Sequence, residues 1–423
     1  MRRTSAIAAF AAIAVAVVGC SSSSSTTGTG TTSSPAAGGN TIDIYSSLPL
    51  QAANIAQTVP TVNGMKLALA QAGGKAGQWT VNYQSLDDAT AATGKWDPGQ
   101  CAANARKAAS DSKTIIYLGE FNSGCSEVSI PILNEAGIPQ ISPANTYVGL
   151  TTGLPGSAPG EPQKYYPTGK RTYLRIVPID SIQGAADLIA MKNAGCTKVA
   201  VANDKEAYGG GLATLLELEK GFYGVTIVSN TGIDPTAPNF RSYASTIAGQ
   251  GADCFFFAGI TANGGVQIVK DVHTAIPTAK IFGADGVCTS AWTDPAKGGV
   301  PASIDPLIQC TVATLDLSAY PGGKAFLAAY QAKYGVSSPD PYAIYGYAVM
   351  QLALNTIKSL GAQGNSKSAV LAALFATKAT PSVLGTFGFN ANGDTTLKSY
   401  GLYKVSNGQP VFYQTVTPTK TVS

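Results

Sequence analysis

Four short stretches of this 423-residue chain end on small hydroxyl, amide or acidic residues that add nothing to an apolar core. "YLGEFNSGCS" brings Asn122, Ser123 and Gly124 to the end of an apolar run and the start of a helical pattern. "GIPQISPANT" finishes the next run on Ser142, Pro143, Ala144, Asn145 and Thr146. "VANDKEAYGG" carries Asp204 and Tyr208 to the same kind of edge, and "FGADG" carries Asp285. Hydroxyls beside the free N–H groups of a helix start suit an anion such as a carboxylate, and a lone Asp across a cleft suits a cation. That chemistry is recognition. For turnover the signals are missing: there is no G-x-S-x-G elbow, no H-E-x-x-H and a single histidine, His273, inside a helical stretch and read as a surface residue. "YGGGLA" lacks the G-x-G-x-x-G of a dinucleotide loop, and no CxxC pair offers a metal site, so no cofactor and no metal are expected.

Such strand-end residues need a sheet to hold them. Apolar β-rich runs at 41–47, 79–86, 114–119 and 139–143 alternate with helical patterns such as "DPGQCAANARKAASD". There Asp97 is a helix cap and Pro98 the first turn. A second series follows at 197–204, 224–230, 253–259 and 279–285, again with helices between. This alternation predicts right-handed βαβ units, hence an α/β fold of two doubly wound parallel-sheet lobes. In open sheets of this kind ligands sit beyond the carboxyl ends of the strands, where all four stretches above fall.

The chain ends say where the protein works. "MRRTSAIAAFAAIAVAVVGC" has Arg2 and Arg3, an apolar run from Ala6 to Val18, then Gly19 and Cys20, the layout of a secretory leader. "VVGC" resembles a bacterial lipobox, with Cys20 as the lipidated residue and an anchor to the outer face of the cytoplasmic membrane. Residues 1–20 are read as the leader and 21–40, rich in Ser, Thr and Gly, as a tether. The remainder is long enough for two domains. A formal charge of +4 with no Lys/Arg cluster argues against a nucleic-acid partner, and 45% apolar against 12% charged residues argues against disorder. Six further cysteines in an exported chain predict disulfides, and residue spacing leaves all fifteen connectivities open.

Read together, Gly119…Ser123, "GIPQISPANT", Arg175…Asp180…Gln183-Gly184, Asp204…Tyr208-Gly209 and Gly283-Ala284-Asp285-Gly286 resemble the leucine/isoleucine/valine-type substrate-binding proteins of bacterial ABC importers. Tyr345-Gly346-Tyr347 and Gly385…Phe389…Gly393-Asp394 continue the likeness, which covers about residues 41 to 415. The resemblance implies a type I periplasmic-binding fold with three hinge crossings. Lobe 1 would hold 41–177 and 315–386, lobe 2 would hold 178–314 and 387–417, and the cleft between them would close on ligand. It places Ser123 and Thr146 on the ligand carboxylate, the Ala144 backbone and Asp285 on its ammonium, and Tyr208 as a cover from lobe 2. Asn145 and Thr261 join the ligand set at positions where this chain departs from the family; Ile260 marks a further departure. The fold also implies the pairs Cys101–Cys125, Cys196–Cys254 and Cys288–Cys310, since the first and third strands of lobe 2 should be neighbours. Segment 151–172 is longer than the family needs and either caps the cleft or forms a surface loop.

The function so implied is a lipid-anchored receptor, not an enzyme. It would bind an amino acid of branched-chain type, or a related small polar solute, and deliver it to an ABC permease and its ATPases. Alternatives are a sensor of the same fold for a membrane signalling protein, a receptor for amides or carboxylates and, last, a secreted hydrolase.

Overall fold

Fifteen strands and eleven helices carry the chain through two large sheets and one small hairpin, in a computed structural model that describes residues 40–422. The leader, Cys20 and the tether up to residue 39 lie outside the described residues. The first sheet takes β1 (Thr41–Leu48), β2 (Lys75–Ala76), β3 (Trp79–Asp87), β4 (Thr114–Gly119), β5 (Gln140–Ser142) and β6 (Tyr173–Arg175) in the order β2-β3-β1-β4-β5-β6. All its pairings are parallel except the β2–β3 hairpin. The second has β7 (Val199–Asn203), β8 (Ile227–Gly232), β9 (Cys254–Ala258), β10 (Lys280–Gly283) and β11 (Ile308–Val312) running parallel. After the small hairpin β12 (Thr380–Ser382) and β13 (Gly385–Phe387), β14 (Tyr400–Ser406) and β15 (Gln409–Val416) extend that second sheet antiparallel.

Both sheets are covered by helices: α1 (Ile55–Gln71), α2 (Pro98–Ser110), α3 (Ser123–Glu135), α4 (Asp180–Asn193), α5 (Ala207–Tyr223), α6 (Arg241–Gly249), α7 (Val266–Ala275), the short α8 (Ser290–Thr293), α9 (Gly323–Tyr334), α10 (Tyr342–Ser359) and α11 (Lys367–Phe375). Coverage on both faces explains why β4 and β9 are apolar runs buried at every residue. The cap read at Asp97 forms: its carboxylate accepts from the Gln100 N–H at 3.0 Å, with Pro98 opening α2. Although α10 follows the parallel strands of the second sheet in sequence, it packs on α1. A Cβ at Gly64 would lie 2.0 Å from the Ala343 oxygen, and one at Gly346 would lie 1.9 Å from the Thr61 oxygen, so only glycines let these backbones touch.

The chain passes between the sheets after β6, after β11 and between β13 and β14. Arg175, fully buried, binds the first passage to the third through Asp394 at 2.8 Å, and Tyr400 donates to the Pro178 carbonyl at 3.0 Å. Three disulfides pin the frame: Cys101–Cys125, Cys196–Cys254 and Cys288–Cys310. The first joins the opening turns of α2 and α3. The second fits adjacent β7 and β9, where Val199 stands opposite Cys254. The third ties the turn after β10 to β11. Constraining the unfolded chain, each contributes a few kcal/mol, about 2–4 in ordinary cases.

Segment 151–172 is packed rather than loose. Glu161 accepts from Tyr147 at 2.7 Å and from Tyr165 at 2.6 Å, Tyr166 donates to the Leu150 carbonyl, and Gly156 rests against Leu215 of α5. Among the described residues no helix is long and apolar enough to cross a membrane.

Candidate ligand-binding site

Two strand-end turns from the first sheet and three from the second meet across one cavity. Phe121, Asn122, Ser123, Gly124, Ala144 and Thr146 line one side; Glu206, Tyr208, Ile260, Asp285 and Gly286 line the other. The enclosed space is small, and part of the cavity opens to solvent.

The first side is built around the start of α3. Asn122 stands in extended backbone before the helix, and among the described residues the N–H groups of Ser123 and Gly124 have no partner within the chain. Two free donors at the positive end of a thirteen-residue helix can take an anion. The facing turn is held residue by residue. Ser142 Oγ donates to the Glu120 carbonyl at 2.7 Å and accepts from the N–H groups of Ala144 (3.1 Å) and Asn145 (2.8 Å). Arg175 donates to the carbonyls of Asn145 (3.3 Å) and Tyr147 (2.8 Å), and the Thr146 carbonyl accepts from the Asp180 N–H at 2.8 Å. Strand β5 therefore ends on hydroxyl and amide residues because they fix the shape of a turn whose backbone faces the cavity.

Asn145 belongs to that frame, and its side chain is not among the residues that line the cavity. Its Oδ1 accepts from Ser126 at 2.5 Å and from Tyr173 at 2.9 Å, while Nδ2 donates to the Phe121 carbonyl at 2.8 Å. With those bonds made, its side chain has little left to offer a solute. Thr261 also stands off the wall: its N–H donates to the Gly286 carbonyl at 3.2 Å, and its buried hydroxyl has no partner among the described residues.

On the second side Asp285 gathers donors from both sheets' helices. Oδ1 accepts from Gln183 Nε2 at 2.7 Å and Tyr208 Oη at 2.5 Å; Oδ2 accepts from Tyr342 Oη at 2.5 Å. Its backbone carbonyl accepts from Gln57 of α1 at 2.9 Å. Burial pushes the carboxyl above its ordinary range, and the three donors hold it back. A carboxylate offers about four lone pairs, so roughly one, on Oδ2, stays open for a further N–H donor. Behind it Asp180 is wholly buried and pushed up to about 8 by that burial, with the Thr146 hydroxyl and Arg175 opposing and Asp285 reinforcing the shift.

Sequence reading did not find Gln183, Tyr342 or Glu206 as site residues. Gln183 stands in the quoted Gln183-Gly184 motif and Glu206 two residues before Tyr208, so both carried a signal; Tyr342 carried none, because its partner is 57 residues away. Two groups of acids and cysteines cluster among the described residues, Asp88 with Cys101 and Cys125, and Asp253 with Cys196 and Cys254. Their sulfurs are bonded to each other, so neither offers a thiolate to a metal.

Two sheet-based lobes with a cleft between them define a bilobal architecture of the solute-binding kind. A model of the family described as periplasmic binding protein matches residues 49–410, and the chain belongs to that family, one of solute-binding receptors and not of enzymes. The chain is similar to a Leu/Ile/Val-binding protein of Rhizobium johnstonii, 27% identical over 320 residues that cover 74% of this chain and 79% of that one. An amino acid binding protein of Pseudomonas aeruginosa is also 27% identical, over 73% of this chain and 76% of its own. Among solved structures, the leucine binding protein LivK of Thermotoga maritima superposes with a TM-score of 0.76 at 21% identity, covering 89% of this chain and 99% of that one. A solute binding protein of R. palustris in complex with benzoate gives 0.73 at 20% identity, covering 89% and 97%. At those identities the two structures speak for the fold.

Proposed function

We propose that this chain is an extracytoplasmic receptor, anchored through lipidated Cys20, that closes on an α-amino acid of branched-chain type or a related small polar solute. It then presents that solute to an ABC permease and its ATPases. The observation that carries the reading is the opposition, across one cavity, of the free N–H groups opening α3 and the Asp285 carboxylate. The solute carboxylate docks on Ser123, Gly124 and the Thr146 hydroxyl, and its ammonium takes the Ala144 carbonyl and the open lone pair of Asp285. Tyr208 covers the solute from its side, and Phe121 and Ile260 supply apolar wall. The lobes that close are 41–177 with 315–386 and 178–314 with 387–417, moving about the Arg175–Asp394 passage.

One observation favours a second reading, a carboxylate without an ammonium. Asp285 is already served by three side-chain donors and so does not require a cation. A thermal-shift screen with L-leucine, L-isoleucine, L-valine, benzoate and small amides separates the two. At 100 times its dissociation constant a solute adds about 2.7 kcal/mol, a clear rise in midpoint. A rise with an amino acid supports the first reading, and a rise with benzoate alone supports the second.

A further inference from the structure

Glu206 is the second acid on the cavity wall, and both of its oxygens are taken. Lys95 Nζ lies 2.8 Å from Oε1, and Trp96 Nε1 donates to Oε2 at 3.0 Å. Both donors come from the segment between β3 and α2, on the opposite side of the cavity from α5. Lys95 also donates to Asn263 Oδ1 at 2.6 Å, and Asn263 Nδ2 donates to Asp204 Oδ2 at 2.8 Å. Asp204 in turn accepts from the N–H groups of Glu206 (3.1 Å) and Ile260 (3.1 Å), so the acceptors around the lysine are fixed. The Trp96 indole lies over Gly124, where a Cβ would come within 2.5 Å of the ring. The pair therefore sits against the start of α3 on one side and the start of α5 on the other.

Lys95 supplies, from within the chain, the counter-charge to Glu206 on the cavity wall. We infer that Lys95 is a specificity-determining residue: by neutralising Glu206 internally it excludes solutes with a second cationic group and reserves the cavity for those without one. This rests on reading the cavity as an amino-acid clamp. A basic amino acid held by its α-groups would bring a second ammonium toward Glu206. There it would either crowd Lys95 with a like charge or displace it, leaving one of two ammoniums unpaired. Lys95 is partly exposed, with 25% of its side chain open, so truncation leaves the core intact.

The test compares the purified full chain with Lys95→Ala, Lys95→Ser and Lys95→Met, and with the double variant Lys95→Ala/Glu206→Gln. Each is titrated by thermal shift and calorimetry with L-ornithine, L-lysine and L-leucine. The wild type gives no response to L-ornithine or L-lysine. Lys95→Ala and Lys95→Ser, which free both the charge and the space, bind L-ornithine at least about tenfold more tightly than the wild type, equivalent to about 1.4 kcal/mol. Lys95→Met, which keeps the stem in place, gains nothing, and the double variant loses the gain because the counter-charge is gone. A wild type that takes L-ornithine as readily as L-leucine overturns the inference, as does a folded Lys95→Ala without new affinity. A gain for L-ornithine with no response to L-leucine in any protein upholds the role of Lys95 and removes the aliphatic part of the clamp reading. Silence toward all three amino acids in every variant sinks both.

Discussion

Replacing Asp285 by Asn is the sharpest perturbation of the clamp, because volume is kept while charge and one acceptor are removed. The remaining amide oxygen can still accept from Gln183 and Tyr208, which both donate to Oδ1 in the wild type. The NH2 group then occupies the place of Oδ2, facing the Tyr342 hydroxyl and the solute ammonium, so a donor confronts donors. Loss of a charge-assisted hydrogen bond contributes about 1.5–3 kcal/mol. Leaving the buried ammonium without its counter-charge brings the total to about 3 kcal/mol. That corresponds to a dissociation constant raised roughly 150-fold. The assay is calorimetric titration of wild type and variant with the α-amino acid that raises the melting midpoint most, after circular dichroism confirms that both are folded. Benzoate is the control: a carboxylate without an ammonium keeps its affinity in Asp285→Asn. Equal amino-acid affinity in the two proteins would refute the role of Asp285 and the geometry argued from it.

Three further predictions concern the frame behind the clamp. Asp88 and Glu120 are buried side by side; burial raises both carboxyls, and Glu120 is pushed up to about 7. Between the ordinary carboxyl range and pH 7 the folded chain keeps a proton that the unfolded chain has released, so stability falls as pH rises, by about 1.4 kcal/mol per pH unit for one group. Glu120→Gln should flatten that part of the curve and be more stable than wild type at pH 8 in urea unfolding; parallel curves would contradict the shared burial. Arg175→Met strands Asp394 and the carbonyls of Asn145 and Tyr147, and should cost about 3–5 kcal/mol in chemical unfolding; a loss under about 1 kcal/mol would show the ion pair to be dispensable. Gly346→Ala forces α10 away from α1 and should lower the midpoint by several degrees without changing solute affinity per folded molecule, whereas a neutral result would deny the backbone contact.

Much of this architecture could be read from local pattern, since apolar runs at 114–119 and 253–259 became β4 and β9 and the Asp97–Pro98 pair opened α2. Strands β5 and β6 have three residues each, too few for a period to show; β5 was read from its apolar residues, and β6 went unmarked. Strands β14 and β15 were likewise unmarked, and their antiparallel return gives the second sheet a mixed edge that βαβ alternation does not foretell. At the site, residue types at strand ends brought Ser123, Ala144, Thr146, Tyr208 and Asp285 to one cavity. The direction of a side chain in a polar turn is not a local property, and so Asn145 turned inward to Ser126 and Tyr173. The contacts of Lys95 and Trp96 with Glu206 join residues 111 and 110 positions apart and depend on how the two sheets face each other.

A clamp with two ends is tested by calorimetric titration of the purified chain with three matched solutes. L-leucine carries both head groups, 4-methylpentanoate lacks the ammonium, and 3-methylbutylamine lacks the carboxylate. The clamp predicts measurable affinity for the amino acid and a loss of at least about 100-fold for each truncated analogue, or about 2.7 kcal/mol apiece. Binding of 4-methylpentanoate as tightly as L-leucine would contradict it and leave the cavity as a site for carboxylates alone.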